Sequence, residues 1–454
     1  MARPLRIAVI GSGPSGMYAA DALVSQSEIP VSVDVIDRLP VPFGLVRYGV
    51  APDHVSIRSV RDTLDKVLDK DGVRFVGNVE IGTDLSMADL HEHFDAVILT
   101  YGASRDRRLG IPGEDLPGSI AATDFVAWYC GHPDAERQEH EDLVRSTTGV
   151  VVVGVGNVAV DVTRVLAKTV GELDSTDMPQ HVLDVLGESS VTDVHVLGRR
   201  GPAQGTFTTK ELRELGELLD ADVIVDPEGF VLDEASEQTV ASDKAIARNV
   251  EVIREWTTRT PSGKKRRIHF HFLARPVELR GQDHVETVVV ERTELDGTGN
   301  AKGTGRTFEI PAQMVVRSVG YRGTALEGVP FDADRNVIPS QDGRVLHDGA
   351  VVPGEYVAGW IKRGPTGIIG TNKKDATGTV ASLLADAGAG SLPAAPKGTV
   401  EEFDALLVAR GIAPVSTAGW RSIDAAERAL GQGRGRDRTT IHERDEMLRS
   451  ATGR

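Results

Sequence analysis

Apolar residues along this chain come in short unbroken runs, and several of the runs end on glycine. Ile7, Ala8, Val9 and Ile10 lead into Gly11, Gly13 and Gly16, and then into the alanine-rich segment Met17-Tyr-Ala-Ala-Asp-Ala-Leu23. A run of strand length, a glycine turn and a helical composition predict strand, tight turn and helix. Val31-Ser-Val-Asp-Val-Ile36 alternates as a second strand and ends at Asp37. From Arg38 to His54 three prolines and two glycines forbid regular structure and predict a long structured loop. Arg58 to Lys70 predicts an amphipathic helix, Gly72 to Gly77 a strand, and Asp95 to Gly102 a buried strand ending in small residues.

The same pattern then recurs. Val150 to Val153 meets Gly154, Gly156 and Ala159, and the apolar positions Val162, Val165 and Leu166 continue as a helix. The next strand, Val194 to Leu197, ends in Gly198-Arg199-Arg200. Strand-like runs between 222 and 312, among them Arg267 to Phe272 and Glu286 to Val290, predict an antiparallel excursion, and Met314 to Gly320 closes the segment. Glu355 to Trp360 reads as a strand ending in glycine and an aromatic, and Pro365 to Gly370 opens a helix carrying Lys373, Lys374 and Asp375. Gly388 to Lys397 reads as a linker before a charged helical tail. The predicted fold class is α/β with two Rossmann-like dinucleotide-binding domains. The first is discontinuous, 1–104 and 324–454, with the second, 105–323, inserted into it.

Glycine turns of this kind carry chemistry. In G-x-G-x-x-G or G-x-G-x-x-A after a strand, the first glycine permits the turn and the second admits a pyrophosphate to the backbone. The third lets helix and strand pack, with free N–H groups of the helix facing the phosphates. The first turn supplies Gly11, Gly13 and Ser15, and the second Gly154, Gly156, Asn157, Val158 and Ala159. Asp37 stands where an acid binds ribose hydroxyls, as FAD requires. Arg199 and Arg200 stand at the corresponding point of the second unit, where guanidinium groups would accept a 2′-phosphate, as NADP requires. The alternative for that pair is a solvated surface dipeptide.

Composition narrows the rest. A chain of 454 residues is expected to form two or three domains. A net charge of −16 argues against general nucleic-acid binding. No apolar run reaches the length of a membrane span, and with the first strand so near Met1 a cytoplasmic location is expected. Cys130 is the single cysteine, so a redox pair, an internal disulfide and an iron–sulfur cluster on four of the chain's own thiolates are excluded. Electrons handled here must pass through a bound organic cofactor, and no metal site is expected.

Several stretches together resemble one family: Gly11 to Ser15, Pro42 to His54, Asn78-Val79, Ile111 to Gly118, Gly154 to Asp161, Gly198 to Pro202, Phe207 to Thr209, Arg317 to Tyr321 and Gly359 to Gly367. On these the chain is similar to the adrenodoxin-reductase-like ferredoxin–NADP reductases of bacterial type, which are FAD enzymes of two dinucleotide domains. The resemblance implies FAD contacts at Ser15, Asp37, Leu45, Val79, Trp360, Gly367, Ile368 and Ile369, beside the close-passing backbone of Gly102. For NADP(H) it implies Arg107, Gly156 to Ala159, Arg199, Arg200, Glu211 and the turn at Gly367. It places His54 and Asp161 near the nicotinamide and flavin, with Glu214 a further acid by that pocket; they handle protons there, or their pairing only fixes the loop. Asp37 stands where relatives can carry the longer Glu. The tail motif Gly419 to Glu427 resembles the family's closing segment and is expected to pack back on the FAD domain.

The function so implied is hydride transfer from NADPH to FAD N5, then release of single electrons to an iron–sulfur partner, an acidic ferredoxin. Two readings of Lys264-Lys-Arg-Arg267 stay open, a docking face for that partner and a solvated hairpin turn. Alternatives to the whole reading are an NADPH-dependent quinone or dye reductase, an electron-input subunit of a synthase, and a non-catalytic NADP-sensing module.

Overall fold

The computed structural model describes residues 3–367 and 369–453, which fall into two compact units. Unit 1 comprises 1–50, 54–105 and 321–454, and unit 2 comprises 51–53 and 106–320. The chain therefore passes between units at 105/106 and 320/321, and residues 51–53 of the long loop belong to unit 2.

Unit 1 is built on an eight-stranded sheet in the order Ser340–Gln341, Arg344–His347, Ala350–Val357, Ala96–Leu99, Leu5–Ile10, Val31–Ile36, Val73–Gly77, Val415–Ser416. From Ala350–Val357 to Val73–Gly77 the pairings are parallel. Inner parallel strands are covered on both faces, which is why Ile7, Val9, Val33, Val35, Val97 and Ile98 are all fully buried, and why Ile7–Ile10 and Ala96–Leu99 read as unbroken apolar runs. Helix Pro14–Ser25 packs on this sheet with Met17, Ala19, Ala20 and Leu23 inward. The segment expected as one helix from Arg58 to Lys70 is instead two short helices, Val55–Arg58 and Val60–Asp65, followed by a 3₁₀ turn, Lys66–Asp69. The break falls at Ser59, whose hydroxyl donates to the carbonyl of Ser56, a side-chain bond that competes with regular helix.

Unit 2 holds a six-stranded sheet in the order Ser119–Ala121, Met314–Arg317, Gly149–Val153, Asp193–Gly198, Arg266–Phe272, Ala221–Val225. Every pairing in it is parallel. The antiparallel reading of 222–312 needs correction here, because Arg266–Phe272 lies inside the parallel sheet. Helices Glu234–Ser242 and Lys244–Thr258, capped by Asp233 and Asp243, separate it from Ala221–Val225, and a helical crossover returns a strand parallel. Only Ala274–Arg280, Thr287–Leu295 and Ala301–Pro311 form an antiparallel sheet. The hairpin reading of Lys264 to Arg267 fails with it: Arg266 and Arg267 begin the strand, and Arg266 is buried. Arg267 donates to both carboxylate oxygens of Asp193 at 2.6 and 2.5 Å, and Lys264 Nζ donates to the carbonyl of Leu218 at 2.6 Å.

Candidate functional site

In unit 1 the first glycine turn is a shape only glycine can take. Gly11 has φ of 104°, and a Cβ there would lie 2.9 Å from the Thr100 carbonyl oxygen; at Gly16 it would lie 1.9 Å from the carbonyl oxygen of Gly11. Gly13 is different, since a Cβ added there meets nothing within 4 Å. That open space lies at the N-terminus of Pro14–Ser25, whose N-cap is Gly13 itself with no side-chain capping bond. Free N–H donors beside open space fit a pyrophosphate. Asp37 accepts from the Ser12 N–H at 2.8 Å, from the Ser12 hydroxyl and from the Leu39 N–H at 2.9 Å. A carboxylate offers about four lone-pair positions, so a ribose hydroxyl can still be received there.

The other residues expected at this cofactor lie in the same unit. Val79 is buried and its N–H donates to the Asp37 carbonyl at 2.9 Å, while Leu45, at the head of the short helix Leu45–Tyr48, is 37% exposed. Gly102 (φ 79°) and Gly364 (φ 80°) face open space. The turn at Trp360 is pinned by Asp375, which accepts from the Gly359 N–H at 2.6 Å and from Lys362 Nζ at 2.8 Å. Ser15 donates to Asn372 Oδ1 at 3.1 Å, tying the first helix to the long helix Ile369–Gly388. The indole Nε1 of Trp360 is buried and has no hydrogen-bond partner among the described residues, and its ring stands 5.4 Å from that of Tyr321. An orphaned buried donor is costly unless a ligand acceptor meets it, so unit 1 fits a dinucleotide whose second ring is an acceptor-rich aromatic, as FAD is. Gly367 has φ of 85°, Ile369 is half-buried, and Ile368 lies outside the described residues.

In unit 2 the second turn repeats the logic with different chemistry. A Cβ at Gly154 (φ 133°) would lie 2.2 Å from the Ser318 carbonyl oxygen. Helix Asn157–Ala167 starts at an N-cap, Gly156, that has no side-chain capping bond. Asn157 Oδ1 accepts from the Thr208 N–H at 2.9 Å; Val158 is half-buried and Ala159 fully buried. Arg199 is exposed and Arg200 half-exposed, and among the described residues neither guanidinium has an ion pair or hydrogen bond. Arg107 is exposed and its N–H donates to the carbonyl of Gly320 at 2.9 Å. Unpaired guanidinium groups at the end of the second strand fit a phosphate.

The acids separate. Asp161 and Glu211 are both buried, with a carboxylate oxygen of each within 4.8 Å of the other. Glu214, one turn beyond Glu211 on helix Thr209–Leu215, is partly exposed and 3.9 Å from Lys210. Arg164, which sequence reading passed over, holds the pair's surroundings: it is fully buried and donates to Asp161 at 2.9 Å and to Asp53 at 2.6 and 2.9 Å. Lys168 adds a bond to Asp53 at 2.8 Å. Burial alone would raise the Asp53 carboxyl, but Arg164 and Lys168 hold it well below the usual carboxylate range. The signal was present in the i,i+3 spacing of Asp161 and Arg164 on a helix. His54 belongs to unit 1, where its carbonyl accepts the N–H groups of Ile57 and Arg58.

Comparison with known proteins joins these observations. NADPH-ferredoxin reductase FprA of Mycobacterium tuberculosis is 44% identical over 99% of this chain and all of that protein. Human mitochondrial NADPH:adrenodoxin oxidoreductase is 39% identical over 98% of this chain and 91% of its own. The chain belongs to the FprA and adrenodoxin reductase family. The solved structure of M. tuberculosis FprA in complex with NADPH superposes with a TM-score of 0.92 at 43% identity, covering 99% of this chain and 100% of that one. A sequence model of the pyridine nucleotide-disulphide oxidoreductase family matches residues 5–216. With Cys130 alone, this member of the reductase family shares that scaffold without a redox disulfide of its own. No helix among the described residues is long and apolar enough to cross a membrane.

Proposed function

We propose that this chain is an FAD-dependent oxidoreductase that takes electrons from NADPH and delivers them to a ferredoxin-type iron–sulfur protein, a ferredoxin–NADP reductase acting in the cytoplasm. The observation that carries the reading is the contrast between the two glycine turns, Asp37 closing one and the unpaired Arg199 and Arg200 closing the other. It is supported by the full-length relatives, whose names are those of NADPH–ferredoxin and NADPH–adrenodoxin reductases. Bound FAD supplies the step no side chain here can perform, accepting a hydride and passing electrons on one at a time. The protein's work is placement. Gly11, Gly13, Ser15, Asp37, Leu45, Val79, Gly102, Trp360, Gly367, Ile368 and Ile369 hold the flavin nucleotide. Arg107, Gly154 to Ala159, Arg199, Arg200 and Glu211 hold NADPH. His54 and Asp161 orient the reacting rings, with Glu211 rather than Glu214 as the neighbouring acid.

An acidic ferredoxin remains the proposed partner, and the 264–267 run remains a proposed docking face only through exposed Lys265 and Arg267, since Arg266 is buried and Lys264 Nζ donates to the carbonyl of Leu218. Reduction of cytochrome c by NADPH, with and without a ferredoxin, tests the function. A yellow protein bleached by NADPH, with cytochrome c reduction that depends on ferredoxin, is the expected result. A colourless protein after reconstitution with FAD would overturn it, and bleaching with no ferredoxin dependence would leave a quinone or dye reductase.

A further inference from the structure

Strand Arg266–Phe272 is an inner strand of a parallel sheet, yet only one of its faces is apolar. Ile268, Phe270 and Phe272 are buried in one apolar cluster with Val196, Val223 and Val225. Inner parallel strands are normally apolar on both faces. Here the alternate positions carry Arg267, His269 and His271, and the neighbouring strand presents Asp193 and His195 directly opposite Arg267 and His269. Three imidazoles and a carboxylate thus share one half-buried face, and neither nucleotide site uses them.

Their geometry is that of a ligand set. A carboxylate oxygen of Asp193 and a ring nitrogen each of His195 and His269 all lie within 4.8 Å of one another. His269 Nε2 is 2.9 Å from Asp193 Oδ1. His195 Nδ1 is 3.0 Å from His271 Nε2, so one of these nitrogens donates and the other accepts. We propose that Asp193, His195 and His269 bind a divalent ion of the zinc class, with His271 as the positioning imidazole that fixes His195 through its second nitrogen.

Two imidazoles and one carboxylate are a nitrogen–oxygen donor set that zinc accepts, at about 2.0–2.2 Å from each donor, leaving a position for water. Donors on such a shell stand roughly 3.4 Å apart when tetrahedral, so the present 2.9 Å edge opens slightly and the wider edges close. The rings of His195 and His269 are stacked 4.5 Å apart and 11° from parallel. They fan apart on binding about χ2, which is a broad torsion in histidine. Arg267 competes, because it donates to both oxygens of Asp193 and must release one of them. His271 supplies the outer bond that metal-bound histidines regularly make, and beyond it lies Asp226, 3.7 Å from His271 Nδ1. Hard cations such as magnesium prefer all-oxygen sets and are not expected here.

The holoenzyme, stripped with a chelator that leaves FAD in place, is titrated calorimetrically with zinc chloride at pH 7 in excess magnesium. One site per chain is expected, with affinity at least a hundredfold lower in His195→Ala and in His269→Ala. His271→Ala should weaken binding about ten- to a hundredfold, the usual cost of an outer-shell partner, and Arg267→Ala should strengthen it. NADPH-driven reduction of a dye by the His195→Ala enzyme should match wild type, separating loss of the ion from loss of the fold. Crystals of the wild-type enzyme soaked in zinc give a readout that needs no variant, an anomalous peak between Asp193, His195 and His269. Absence of stoichiometric binding in wild type, unchanged affinity in both histidine variants, or a peak elsewhere, including beside Asp161 and Glu211, would overturn the proposal.

Discussion

At the scale of single residues, what distinguishes the two sites is which charges are left unpaired. Asp34, Asp53, Asp193 and Glu427 each hold arginine, so the chain spends much of its basic charge internally. Arg199 and Arg200 are left over at the end of a strand, where a 2′-phosphate would meet them. A hydrogen bond to a charged group contributes about 1.5–3 kcal/mol, and each ~1.4 kcal/mol is tenfold in affinity. Replacing both by alanine should raise the NADPH Michaelis constant roughly ten- to a hundredfold and leave NADH nearly unchanged, as steady-state kinetics with the two cofactors will show. Equal weakening of both would mean that the arginines do not read the phosphate. Asp53 is the opposite case, a buried acid fully committed to Arg164 and Lys168. Its folded pKa is depressed, so its stabilisation is complete above the usual carboxylate range and is lost as pH falls through that range toward the folded value. Asp53→Asn should cost about 3–5 kcal/mol at pH 7, because it removes the carboxylate that accepts from buried Arg164 and from Lys168. Urea unfolding at pH 7 and at pH 3 should therefore show a smaller pH-dependent loss in the variant than in wild type.

At the scale of elements, legibility followed how locally each feature is determined. The strand–turn–helix units were readable because a glycine with positive φ is a local demand, set at Gly11 and Gly154 by carbonyls a Cβ would strike. Arg266–Phe272 was misread because its alternation of arginine, histidine and phenylalanine looks like an open antiparallel strand. Only the two helices before it, capped by Asp233 and Asp243, reveal the crossover that makes it parallel. Glu211 was expected at NADP and Glu214 by the nicotinamide pocket; three residues apart they share one helix face, so spacing alone cannot rank their burial, and in the structure Glu211 is buried while Glu214 is partly exposed. The glycines yield a prediction at this scale, because they serve two different purposes. Gly154→Ala puts a Cβ into backbone at positive φ and should cost roughly 2–5 kcal/mol of stability in denaturant unfolding. Gly13 has φ of −65°, which alanine adopts freely, and open space before it. Gly13→Ala should leave the FAD-free chain as stable as wild type while weakening FAD binding on the order of tenfold or more, measured by flavin fluorescence on titration. A destabilised FAD-free protein would mean that the space is not there for a ligand.

At the scale of the whole molecule, unit 1 is completed by sequence from the far end of the chain. Val415–Ser416 pairs antiparallel with Val73–Gly77 and covers the sheet edge that would otherwise be open. Phe403 and Leu407 lie in the same apolar cluster as Ile10, Ile36, Val97 and Leu99, and Trp420 meets Phe43 edge-on with centroids 5.6 Å apart. Beneath them Glu427 is fully buried and joined to Arg47, with Arg438 on its other side at 2.7 Å. Arg47 follows Leu45 in the loop expected at the flavin, so the tail and the cofactor loop share one ion pair. Removing a single partner of a buried pair leaves an uncompensated charge and costs more than the pair itself contributes. A chain ending at Lys397 would strand Arg47, uncover Val73–Gly77 and strip Phe403 and Trp420 from the core at once. Such a chain should retain little FAD, read as the ratio of visible to ultraviolet absorbance, while its affinity for 2′,5′-ADP, a probe of unit 2, stays within a few fold of wild type. Glu427→Gln, which keeps the shape and removes the charge, should fall between the two. Stoichiometric FAD in the truncated chain would show the tail to be an appendage of unit 1, and Arg47 to be neutralised by something other than Glu427.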